Sequence, residues 1–211
     1  MDQKSQLIGF WKAHFHFREE ELAAFAAVQR EDFILQELLP AAYQDTPLPL
    51  LRGKTISQPT TVMLMISALQ LRPGEKVFEV GTGSGYHAAL IAKLVHPGTV
   101  ISTEVIPELV HFSRGNLQKA GITNIRVHEE DGSKGMPAEA PFDKVIITAA
   151  CREFPKELLS QLKDGGMIIG PVGSADEQEM VLGIKEKGNL RLHFLGQFIF
   201  TPMHGKYGFV A

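Results

Sequence analysis

Five residues, Gly81-Thr82-Gly83-Ser84-Gly85, form a glycine-rich turn between a short β-type run, Lys76 to Val80, and a segment of helical period, Gly85 to Val95. Glycines let a backbone turn sharply and come close to a bound molecule. A turn that leaves a strand and opens a helix stands where open α/β sheets bind their ligands. Four polar residues fall at related places. Glu79 lies just before the turn, Glu104 closes a second β-type run, Asp131 precedes Gly132 after a third, and Ser57 stands ahead of Gln58-Pro59. No paired acid and base for proton transfer is evident, and no metal site is expected.

The details of the turn choose between ligands. A dinucleotide site prefers Gly-x-Gly-x-x-Gly, with glycines cradling a pyrophosphate. Here the sixth position is Tyr86, and the third glycine comes one residue early, at Gly85. Glu79 would be a poor neighbour for a phosphate dianion but suits a cationic or hydrogen-bond-donating ligand. S-adenosylmethionine carries an ammonium group and a sulfonium and no phosphate, so it is the expected ligand, with Glu79, Gly81, Thr82, Gly83, Ser84 and Gly85 around it. Glu104, at a strand end, is expected to accept from the two ribose hydroxyls. Asp131 is expected to accept from the adenine amino group, with Gly132 permitting a tight turn. Plainer readings stand beside these: a solvated charge at the end of a strand, and an ordinary Asp-Gly turn.

These residues need a sheet to carry them. β-type runs at Lys76–Val80, Thr99–Thr103, Ile125–His128, Asp143–Thr148 and Met167–Pro171 alternate with helical segments at Gly85–Val95, Pro107–Ala120 and Phe154–Leu162. Short apolar strands alternating with helices predict a doubly wound, mostly parallel sheet covered on both faces, a Rossmann-like α/β fold. After Val172 the alternation stops. Met180–Lys185 and Leu190–Phe200, with Gly188-Asn189 between them, predict antiparallel strands added at one sheet edge. Upstream, Leu7 to Gln29 reads as helical, with Arg18 to Glu21 as a solvated first turn. Pro40 to Gly53 reads as an ordered loop without regular structure of its own. Ser57 is expected to cap a helix entered at Pro59, and Thr60–Leu71 is helical in period. The chain is expected to form one domain: residues 1–57 as amino-terminal helices and a site loop, residues 58–211 as the ligand-binding core.

Composition bounds the function. The 211 residues suffice for one sizeable core; 44% are hydrophobic and 21% charged, as in an ordinary globular domain. A net charge of -3 argues against a bulk electrostatic nucleic-acid binder. No run offers the ~20 apolar residues of a membrane span, and no basic-then-apolar leader is seen at the amino terminus. Cys151 is the only cysteine, so no intramolecular disulfide can form, and a reducing, cytoplasmic setting is expected. Cys151 itself reads as a small buried residue near a strand end.

Beyond these readings, the chain from about Arg30 onward resembles the protein-L-isoaspartate O-methyltransferase family. The most specific match is Ala42-Tyr43-Gln44-Asp45-Thr46-Pro47-Leu48-Pro49 followed by Gly53-Lys54-Thr55-Ile56-Ser57-Gln58-Pro59, an element that class I methyltransferases in general lack. Glu79 to Tyr86, Pro141-Phe142-Asp143, Thr148-Ala149-Ala150, Gln161 to Gly166, Gly170 to Gly173 and Phe200 to Met203 also match. The resemblance implies methylation of the free α-carboxylate of L-isoaspartyl residues in damaged proteins and peptides. The ester then closes to a succinimide, which partly reopens as normal aspartate. It places the active-site serine at Ser57, beside the methyl donor with Ile56. The pattern is not kept everywhere: Lys54 stands where glutamine is usual, Glu130 where a glycine commonly precedes the Asp-Gly pair, and Thr60-Thr61-Val62 lacks a tyrosine or histidine often found there.

An acceptor carboxylate is ionised near neutral pH, its reference pKa being roughly 3.5 to 4. Catalysis would therefore rest on near-attack geometry, with Ser57 orienting the carboxylate. The loop Pro47–Ser57 is expected to lie over the donor as a lid, and Lys54 or His204 to add positive charge or simply sit at the surface. Two other functions stay open on sequence: a class I methyltransferase with a small-molecule or RNA substrate, and a donor-binding module without catalysis. A dinucleotide oxidoreductase is disfavoured by Tyr86. Oligomeric state is not legible, and the Phe/Trp-rich amino-terminal segment could cover the sheet or join a partner.

Overall fold

The structure is a computed structural model, and residues 2–209 are described. In chain order it runs α1 (Gln3–His14), α2 (Glu19–Ala27), β1 (Leu48–Pro49), β2 (Thr55–Ile56), α3 (Pro59–Leu69), β3 (Lys76–Val80), α4 (Tyr86–Val95), β4 (Thr99–Glu104), α5 (Pro107–Lys119), β5 (Ile125–Glu129), β6 (Phe142–Ile147), α6 (Lys156–Gln161), β7 (Leu162–Gly173), β8 (Gln178–Glu186) and β9 (Asn189–Phe198).

One seven-stranded sheet has the order β5-β4-β3-β6-β7-β8-β9. Its first five strands are parallel and β8 and β9 antiparallel, as the change of pattern after Val172 predicts. The strands alternate between two cores. Val77, Val100, Ile146 and Ile169 join one apolar cluster, while Phe78, Ile101, Val145, Ile147 and Ile168 join the other. That period of two, apolar on both sides, is what a sheet covered on both faces requires. The chain leaves β3 for β4 on one side and places β6 on the other. The crevice at the carboxyl end of β3 is therefore the topological switch point, the ordinary ligand position in such sheets.

The amino-terminal segment covers the sheet. Trp11 and Phe25 are fully buried in the first cluster and meet edge to face at 4.6 Å. The helical stretch Leu7–Gln29 divides into two helices, the second opening at Arg18 as its acidic first turn predicts. Phe15 and Phe17 stack at 5.2 Å in the extended link, Phe17 packs on Trp11, and Arg18 starts a new helix by donating its backbone N–H to Glu21 Oε2 at 2.8 Å. Packing, not a Gly or Pro signal, makes the break. It also buries Glu21, which the sequence reading left in solvent; the Arg18 guanidinium pairs with it at 2.8 Å. The stretch Pro40–Gly53 is not wholly irregular. A 3₁₀ turn at Gln36–Ala41 runs into it and another, Leu51–Gly53, closes it, and β1 pairs antiparallel with β2 through Leu48 with Ile56 and Pro49 with Thr55. Among the described residues, no helix is long and apolar enough to cross a membrane. Cys151 is buried beside the β7 backbone, and burial pushes its thiol up to about 12.

Candidate active site

The glycine turn is held by hydrogen bonds from both sides. Gly81 and Thr82 donate their N–H groups to the Thr103 carbonyl at 2.9 and 3.0 Å, tying the turn to β4. Thr148, just past β6, donates its hydroxyl to the Gly81 carbonyl at 2.6 Å. Gly81 has φ +99, and a Cβ there would collide with the Thr148 hydroxyl, so the position admits only glycine. Asn116 of α5 donates to the Ser84 carbonyl at 3.0 Å. Glu104, at the end of β4, accepts from Gly83 N–H at 3.0 Å and from Val105 and Ile106 N–H at 2.9 and 3.1 Å. Its carboxylate is thereby fixed at the cavity wall, with lone pairs left over for a ligand.

A cavity opens over this turn. Of the residues expected from sequence, Ile56, Ser57, Gly81, Thr82, Gly83, Ser84, Glu104 and Gly132 line it. Glu79, Gly85 and Asp131 do not. Glu79 is fully buried beneath the turn, where Ser102 donates to its Oε2 at 2.5 Å and Ser102 in turn meets Thr82 Oγ1 at 2.6 Å. Burial pushes the Glu79 carboxyl up to about 8. It is mostly neutral near pH 7, so it supports the turn from below and supplies no full counter-charge to a cation. Asp131 commits its carboxylate elsewhere: Oδ1 accepts from Ser133 N–H and Oγ at 3.0 and 2.6 Å, and Oδ2 from Lys206 N–H at 2.8 Å. It pins the carboxyl-terminal segment. The wall beside Gly132 is formed by Glu130.

Ser57 does not cap the helix at Pro59. The N-cap is Gln58, and Asp45 does the capping from a distance, accepting Thr60 N–H at 2.8 Å and Thr60 Oγ1–H at 2.6 Å. Trp11 Nε1–H donates to the same Thr60 oxygen at 2.7 Å, so α1 is anchored to α3 as well. With the cap supplied by Asp45, the Ser57 hydroxyl bonds no protein group among the described residues and faces the cavity. Its backbone is fixed from behind: Arg30, wholly buried, donates Nη2–H to the Ser57 carbonyl at 2.8 Å and lies 4.8 Å over the Tyr86 ring. Ser57 also lines a second, larger cavity bounded by Pro47, Leu64, Gln178 and Phe198. Thr55, Ser57, Thr148 and Thr201 line both cavities and form the seam between them.

Sequence reading missed the wall residues Val105, Ile106 and His87. Val105 and Ile106 follow Glu104, and Val105 is 37% exposed, an apolar side chain left open at the cavity. His87 on α4 lines it too; burial pushes its imidazole down to about 3, so it is neutral. Segment Thr201–His204 returns from the sheet edge, with Ala150 N–H donating to the Thr201 carbonyl and Met203 N–H to the Ala150 carbonyl, both at 2.9 Å. His204 meets Lys54 here, Nε2 to Nζ at 3.0 Å. The pieces fit an adenosyl ligand. There is a backbone-lined turn with no side chain in its way, a carboxylate placed for hydroxyl groups, and apolar faces beside it.

Comparison with known proteins agrees with this arrangement. Residues 2–208 match the family model described as protein-L-isoaspartate(D-aspartate) O-methyltransferase. A protein-L-isoaspartate O-methyltransferase of Methanopyrus kandleri is 44% identical over 210 residues, covering 98% of this chain and 93% of that protein. One from Ignicoccus hospitalis is 49% identical over 173 residues, covering 81% and 82%. Among solved structures, a protein-L-isoaspartate O-methyltransferase superposes with a TM-score of 0.90 at 27% identity, covering 97% of this chain and 67% of the other.

Proposed function

The chain belongs to the protein-L-isoaspartate O-methyltransferase family, and we infer from its site that it methylates the free α-carboxylate of isoaspartyl residues through Ser57. It is an S-adenosylmethionine-dependent protein repair methyltransferase whose substrates are proteins and peptides carrying isoaspartyl residues. One observation carries the residue-level reading: the uncommitted Ser57 hydroxyl stands on the seam between two cavities, one built around the glycine turn and one open to the β8–β9 edge.

The first cavity takes the donor. Gly81, Thr82, Gly83 and Ser84 offer backbone and hydroxyl groups, Glu104 accepts from the ribose hydroxyls, Gly132 leaves room for the base, and Ile56 packs from the lid side. Glu79 and Gly85 act one layer below, and Asp131 acts through the segment it pins. When bound, S-adenosylmethionine supplies an electrophilic methyl group on a sulfonium. The second cavity takes the extended peptide, whose carboxylate reaches the seam already ionised. Ser57 donates a hydrogen bond to one carboxylate oxygen and leaves the other free to attack, so its work is orientation, not proton removal. Arg30 keeps Ser57 from retreating.

The loop Pro47–Ser57 is the lid. Arg52 pairs with Glu108 of α5, and Lys54 meets His204, so the loop is tied across the donor cavity to two other elements. Closure excludes water from the seam. We read the chain as one domain working in the cytoplasm, a setting consistent with a single, buried, unreactive thiol.

The test is methyl transfer from labelled donor to an isoaspartyl peptide and to its aspartyl twin. Selective, base-labile labelling of the first is expected, and Ser57→Ala lowers turnover by about tenfold or more while donor affinity holds, the size of a lost hydrogen bond to a charged group. Equal labelling of the twins overturns the substrate reading, and undiminished turnover in Ser57→Ala overturns the role of Ser57. Proteolytic protection of the lid loop by S-adenosylhomocysteine checks closure.

A further inference from the structure

Lys54 is an unbalanced charge. Its ammonium is half-buried in the wall of the donor cavity, and among the described residues it has no carboxylate partner. Its contact is with His204 Nε2, at 3.0 Å. That bond takes one of three N–H donors and leaves two. The two residues come from elements far apart in the chain. Lys54 adjoins Thr55 and His204 closely follows Thr201, and both threonines line the seam where the cavities meet. His204 is itself held in place: its segment is pinned at Asp131 through Lys206 N–H and at Ser133 through Tyr207 N–H, the latter at 3.2 Å.

A partly desolvated cation without a counter-ion is costly, and it is more costly in a cavity that also receives a sulfonium. The cost falls when an anion arrives between the two positive charges. The reaction brings one: the acceptor carboxylate, which must pass the seam to reach the methyl group. We propose that Lys54, held by His204, is the electrostatic anchor for the substrate's free α-carboxylate and sets the enzyme's affinity for isoaspartyl substrates. This rests on the functional reading above. Ser57 then orients the carboxylate and Lys54 draws it in. The carboxylates of Glu104 and Glu130 on the same wall leave Lys54 as the side of the cavity an anion can approach.

The experiment uses the whole enzyme with an isoaspartyl peptide, measuring peptide KM, kcat and calorimetric S-adenosylmethionine affinity for wild type, Lys54→Gln, Lys54→Arg and His204→Ala. In Lys54→Gln the peptide KM rises by about tenfold, as for a lost charge-assisted hydrogen bond, while donor affinity is unchanged. Added salt raises the wild-type KM and leaves that of Lys54→Gln nearly flat. Lys54→Arg keeps most of the affinity, and His204→Ala moves KM in the same direction by less. An unchanged peptide KM in Lys54→Gln overturns the proposal. So does a loss of donor affinity in its place, since Lys54 would then serve the donor's own carboxylate. A wild type that labels neither peptide overturns the functional reading and the anchor with it; labelling with an unshifted KM overturns the anchor alone.

Discussion

Glu79 joins stability to pH in a way that can be measured. Its carboxyl is fully buried, one oxygen accepts from Ser102, the other has no partner among the described residues, and burial lifts it from 4.5 to about 8. The folded state therefore holds a proton that the unfolded chain has released. For a group raised on folding, the stabilisation is complete below the unfolded pKa and is lost as pH climbs through the folded one. The window runs from 4.5 to about 8. At about 1.4 kcal/mol for each pKa unit, that span caps the loss at about 5 kcal/mol, a large part of the stability of an ordinary domain. Glu79→Gln keeps the volume and the acceptor for Ser102 but cannot ionise. Urea unfolding of the two proteins across this range should give curves that diverge as pH rises, wild type falling away from the variant, and that run parallel above about 8. Parallel curves throughout would mean that Glu79 ionises without penalty, and the account of a neutral support beneath the glycine turn would be wrong.

Other perturbations follow from the contacts. Asp45→Ala removes the distant cap on α3 and unseats the Thr60 oxygen that receives Trp11, so thermal or urea unfolding should show a loss of about 1–2 kcal/mol; no loss would mean that another group caps the helix. Gly205 has φ +118, and a Cβ there would strike the Asp131 carboxylate. Gly205→Ala should therefore loosen the carboxyl-terminal segment by about 1–3 kcal/mol, seen as faster proteolysis near His204 and a higher peptide KM with the core melting largely kept. A wild-type cleavage rate would show that the segment tolerates the side chain. Ser57→Ala, set against donor binding, remains the direct check on the reaction.

The parallel sheet, its antiparallel edge and the glycine turn were legible because they rest on local periodicity and spacing. Val77 and Phe78 already announce two faces, and Gly81 to Gly85 announces the turn. What was not legible depends on residues distant in sequence. Nothing near Ser57 says that Asp45 will take its capping role, or that Arg30 will hold its carbonyl. The acidic run Arg18–Glu21 gives no sign that Glu21 turns inward, since the reason is the packing of Phe15 and Phe17 around Trp11. The position of Glu79 suits a cationic or hydrogen-bond-donating ligand; burial, which position does not reveal, keeps its carboxyl mostly protonated. Asp131 shows the same limit, a strand-end acid drawn away by the backbone of a segment more than seventy residues later.

The pairing of Lys54 with His204 spans 150 residues, and Asp131 reaches forward to Lys206. The pocket wall is thus contributed by two stretches far apart in the chain, a loop ahead of the main sheet and a segment beyond β9. The glycine turn is tied to β4 by residues within 76–104, whereas its mouth rests on contacts that span most of the chain. The mouth is complete only with residues 201–209 docked against Ala150, Asp131 and Ser133.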